Sequence, residues 1–70
     1  MTYESAIELL KSNHLYPKQV VKNKKIIGLE VYCPSLQKDS RTEVVRKVLG
    51  DSFDVNYMCN LERIDVTKND

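Results

Sequence analysis

Tryptophan is absent from this 70-residue sequence, phenylalanine occurs once, and glycine, proline and cysteine occur twice each. Few glycines and prolines, beside 41% hydrophobic and 30% charged residues, exclude a low-complexity or disordered chain. Two cysteines are too few for the disulfide framework of a small secreted scaffold, so Cys33 and Cys59 are expected as reduced thiols buried in strands. No apolar run approaches the ~20 residues that span a bilayer. Met1 to Leu10 shows none of the basic-then-apolar order of a signal peptide, and the expected compartment is cytoplasmic. Eleven basic against ten acidic side chains leave a charge of +1, too little to steer the whole molecule toward nucleic acid or anionic lipid. Any electrostatic partner must be read by a local patch.

Seventy residues make one domain, expected over residues 1–66 with a frayed tail at 67–70. A chain this short buries only about 60% of the surface its unfolded form exposes, so sharing surface with another molecule is one of its few routes to stability.

Tyr3, Ala6, Ile7 and Leu10 recur at helical spacing, with Leu9 widening the stripe. Thr2 stands ready to cap this helix, Asn13 to close it in the left-handed conformation, and Pro17 prevents its resumption. The helix should end near residue 12. Gln19–Lys22 and Lys25–Cys33 are Val/Ile-rich runs separated by Asn23-Lys24, a hairpin pattern. In the second run Ile27, Leu29, Val31 and Cys33 alternate as a core face, while Gly28, Glu30 and Tyr32 point the other way. Ser40-Arg41-Thr42-Glu43 reads as a capping box ahead of Val44, Val45, Val48 and Leu49, with Gly50 as the left-handed C-terminal cap. Phe53, Val55, Tyr57, Cys59 and Leu61 then alternate as a half-buried strand. Ile64 and Val66 shift the apolar phase, which predicts a bulge or turn near Asn60–Arg63 and a short last strand.

The fold class is therefore α+β, a two-layer sandwich in the order α-β-β-α-β with a short last strand, both helices on one face of a small sheet. The order resembles a ferredoxin-like domain without its first strand, a likeness of topology that carries no functional residues.

Catalytic chemistry finds little to work with. His14, the only histidine, has no orienting partner or nucleophile in motif spacing, and Cys33, Cys59, Ser35 and Ser40 supply none. The compact Cys/His spacings of structural zinc are missing, and the glycines open no helix after a strand, so no metal, cofactor, nucleotide or small-molecule substrate is expected. Two features point to partners. Lys18, Lys22, Lys24 and Lys25 concentrate positive charge on the hairpin, where they either guard an edge strand or follow a phosphate backbone. Tyr16, Tyr32, Met58 and Leu36 fall outside the expected core and are of types that interfaces favour or tolerate. The sequence thus leads to a non-enzymatic protein-binding domain of adaptor or inhibitor type, with its own copy as one partner and an interface around Met58, Tyr57, Leu61 and Tyr32. The alternative is a nucleic-acid-binding module built on the four lysines.

Overall fold

The computed structural model describes residues 1–69. Helices α1 (Tyr3–Ser12) and α2 (Lys38–Leu49) cover one face of a sheet made of β1 (Lys18–Lys22), β2 (Lys25–Tyr32), β3 (Phe53–Met58) and β4 (Arg63–Lys68). The strand order is β1-β2-β4-β3 and every pairing is antiparallel. Reading β4 ahead of α1 turns the element order into β-α-β-β-α-β, so the strand missing from the front of a ferredoxin-like order is present at the back.

Thr2 caps α1 as the sequence predicts, its hydroxyl accepting from the Ser5 amide at 3.1 Å. The helix ends at Ser12 as expected, but the left-handed residue that closes it comes one position later than Asn13. Asn13 keeps a negative φ of −104° while His14 takes the left-handed turn at φ 62°. The Leu15 amide then donates to the Leu10 carbonyl at 2.8 Å and the His14 amide to Lys11, the bond pair of a Schellman motif, and Leu15 is buried beside Leu10. The lone histidine is thus part of a helix terminus.

The hairpin turn forms at Asn23 and Lys24, both with positive φ, and pairs Lys22 with Lys25. One expected core residue is displaced nearby. Val20 pairs with Gly28 but Val21 pairs with Ile26, which leaves Ile27 as an unpaired bulge residue. The bulge reverses the side-chain phase. Ile26 therefore packs against the core and Ile27 is exposed, whereas Leu29, Val31 and Cys33 are buried as predicted.

Helix α2 begins at Lys38, not after Ser40. Pro34 leads into a single 3-10 turn over Ser35–Gln37, which runs directly into the helix and places Gln37 at the cap. Ser40 lies in the first turn, its hydroxyl donating to the Gln37 carbonyl at 3.3 Å, and the capping box does not form. With this start the buried face is Thr42, Val45 and Leu49, and Val44 is exposed. Gly50 has the expected positive φ of 65°, but its ψ of −152° belongs to an extended region open almost only to glycine, not to the left-handed helix.

Strand β3 stops at Met58. Cys59–Leu61 form a 3-10 turn, and Glu62, left-handed at φ 48°, reverses the chain into β4. The turn falls where the phase change predicts it, and Ile64 and Val66 are fully buried. Because the strand has already ended, Cys59 and Leu61 are exposed rather than in the core. Thr67 and Lys68 pair with Asp54 and Phe53 and so extend β4 past the expected limit at residue 66; Asp70 lies outside the described residues. The core joins Ala6, Ile7, Leu10 and Leu15 to Val45 and Leu49 across Leu29, Val31, Phe53, Val55, Ile64 and Val66.

Candidate protein interface on the uncovered sheet face

Pairing fixes which side chains share the face that carries no helix. In an antiparallel ladder directly opposed residues point the same way. Lys18, Glu30, Asp65 and Asn56 therefore form one row across all four strands, and Tyr32, Arg63 and Met58 form the next across three. Arg63 is the hinge of both rows. Its guanidinium lies 2.7 Å from the Asp65 carboxylate and 3.2 Å from that of Glu30, and all three side chains keep partial contact with water. Two carboxylates on one guanidinium hold its planar fork in a single orientation. On either side of it stand Tyr32 and Met58, 66% and 39% exposed.

Below these rows the face is hollowed. A cavity of about 230 Å³ opens over Gly28, bordered by Val20, Ile27 and Thr67 and by the Glu30–Arg63–Asp65 group. A Cβ at Gly28 would come within 3.4 Å of the Val66 carbonyl oxygen and 3.7 Å of the Thr67 methyl, so the missing side chain is what leaves the depression.

The four residues named from sequence separate. Tyr32 and Met58 share the open face. Tyr57 points to the helix side, half-buried, its hydroxyl donating to the Cys33 carbonyl at 3.0 Å and its ring 5.9 Å beneath the Lys38 ammonium. Leu61 is exposed in the turn between β3 and β4. The four lysines are all exposed, Lys18 and Lys22 on β1, Lys24 in the turn and Lys25 at the start of β2. Arg63 and Asp65 were not among the residues the sequence singled out, although their alternation with Ile64 and Val66 places them outward once β4 is accepted as a strand.

The two thiols also separate. Cys33 is fully buried, and its amide donates to the Glu62 carbonyl at 2.9 Å. Burial pushes its thiol up from the ordinary value; the Arg41 guanidinium opposes the shift and the Glu62 carboxylate adds to it. Cys59 is exposed. Among the described residues no group of three or more His, Cys, Asp and Glu side chains is placed to hold a metal ion, and no helix is long and apolar enough to cross a membrane. No family model, no curated protein and no solved structure matches the chain.

Proposed function

We propose that the protein is a small non-enzymatic binding domain that acts by occupying a partner protein's surface, through the sheet face its helices leave uncovered. The observation that carries this reading is the Tyr32–Arg63–Met58 row, an aromatic, an oriented guanidinium and a flexible thioether side by side in water. These are residue types enriched at protein interfaces, and the thioether adapts to irregular surfaces. A partner captured from the native host, then identified and purified, should bind the parent chain and lose at least tenfold in affinity with Tyr32→Ala and again with Met58→Lys. A partner indifferent to both substitutions overturns the reading. A second copy is one such occupant, and light scattering across a hundredfold range of concentration distinguishes a homodimer from a monomer.

The second reading is a nucleic-acid module, favoured by four exposed lysines without an acid among residues 18–25. It expects DNA or RNA binding that weakens steeply with salt and is lost in the Lys22→Glu/Lys24→Glu/Lys25→Glu variant. No binding at low salt removes it.

A further inference from the structure

We propose that the free edge of β1 takes up an acidic, extended segment of a partner protein as a fifth strand of the sheet. This edge is separate from the Tyr32–Arg63–Met58 row, and its occupation does not depend on that row.

Strand β1 is bonded to β2 on one side only, and among the described residues no side chain hydrogen-bonds to it from the other. An edge of this kind offers a line of backbone donors and acceptors that an added strand can satisfy. The opposite edge of the sheet is not equivalent, because Arg46 of α2 donates to the Val55 carbonyl of β3 at 3.1 Å. One carbonyl of the β3 edge is thus taken by the helix layer, whereas among the described residues the β1 edge is open along its length.

The side chains of β1 define what can be added. Residues 18–25 read Lys-Gln-Val-Val-Lys-Asn-Lys-Lys, four cations and no acid. Register with β2 puts Lys18, Val20 and Lys22 on the uncovered face and Gln19 and Val21 on the other. Val21 is 56% exposed, because β1 sits at the margin of the sheet beyond the core. Lysines on an edge repel basic strands, including other copies of β1, but attract a strand that carries carboxylates at the facing positions. An antiparallel strand laid against Lys22 through Lys18 would present, in order, an acid, two apolar residues, a polar residue and an acid. The acids meet Lys22 and Lys18, and the first apolar side chain covers Val21.

Nucleic acid would use the same lysines but not the strand edge. The neighbouring face offers a single stacking aromatic, Tyr32, and carries Glu30, Asp54 and Asp65. That composition favours the peptide.

The test titrates the peptide Gly-Glu-Val-Val-Thr-Glu-Gly, blocked at both ends, into the isotope-labelled chain and follows backbone amide shifts. The shifts should gather on Lys18–Lys22 and weaken with salt. Affinity should fall at least tenfold in Lys18→Glu/Lys22→Glu and return when that variant meets the peptide with lysines in place of its glutamates, a rescue that an unfolded variant could not show. Met58→Lys should bind the acidic peptide as the parent does. Absence of shifts on β1, equal binding of a scrambled peptide, shifts centred on Tyr32 and Met58, or an oligonucleotide taking these lysines where the peptide does not would each overturn the proposal.

Discussion

The Lys68 amide donates to the Tyr3 hydroxyl at 2.7 Å, across 65 positions of sequence, and the same hydroxyl donates to the Ile27 carbonyl at 3.0 Å. The β2–β4 ladder pairs Leu29 with Val66 and is interrupted beyond that point by the bulge at Ile27. The tyrosine hydroxyl therefore bridges two backbone groups beyond the end of the ladder. Tyr3→Phe keeps the ring packing on Phe53 and removes the bridge, which should cost about 1 kcal/mol in urea unfolding. Hydrogen exchange at Lys68 should accelerate while that at Val66 stays slow.

Thr42 is buried on the core face of α2, and among the described residues its hydroxyl finds no hydrogen-bond partner. An unbonded buried hydroxyl keeps its desolvation cost and returns nothing. Thr42→Val preserves the shape and should stabilise the protein by about 1 kcal/mol. Thr42→Ser, which retains the hydroxyl and removes a methyl, should destabilise it, and denaturant midpoints separate the two.

The two cysteines should react in two phases. Cys59 is exposed and should label rapidly in the native state, whereas Cys33 should label only at the rate of opening or unfolding. The upward shift of the Cys33 thiol also has a thermodynamic sign. Above its ordinary value of 9.0 the unfolded chain loses a proton that the folded chain keeps, so this thiol's contribution declines as pH rises from there toward the folded value. Cys33→Val should lack that part of the decline in alkaline unfolding curves.

Positive φ separates two superficially similar substitutions. A Cβ at Gly50 would meet nothing within 4 Å, so Gly50→Ala tests the backbone alone and should cost about 1–3 kcal/mol. Lys24 already sits at φ 65° in the hairpin turn, and Lys24→Gly should raise stability by about 0.5–1 kcal/mol by removing that strain. Thermal unfolding of the two variants should move in opposite directions.

Features governed by neighbours a few residues apart were legible from sequence. The Thr2 cap, the Asn23-Lys24 turn and the phase change before Ile64 all depend on such local chemistry. The departures arise where several local solutions compete or where pairing decides. Ser40 has the chemistry of a cap, but the turn after Pro34 started the helix earlier and spent that position inside it. Ile27 has the periodicity of a core residue, but the bulge that expels it is a property of two strands in register. At the candidate face, Tyr32 and Met58 could be named from their phase. The Arg63 group between them could not, because it depends on β4 lying between β2 and β3, a matter of sheet order that no single strand records.

That sheet order also sets when the domain can come into being. During synthesis the segments for β2 and β3 are both made before β4, yet each needs β4 as its neighbour. Until residues 63–68 emerge, β3 has no partner at all and the only ladder that can close is β1 with β2. A nascent chain thus carries β2 and β3 with an unpaired edge each until residues 63–68 have been added, a window of exposure in which chaperones would act. A fragment ending at Glu62 should stay unfolded by circular dichroism, and one extended to Asn69 should fold, which makes β4 the strand on which the whole sheet waits.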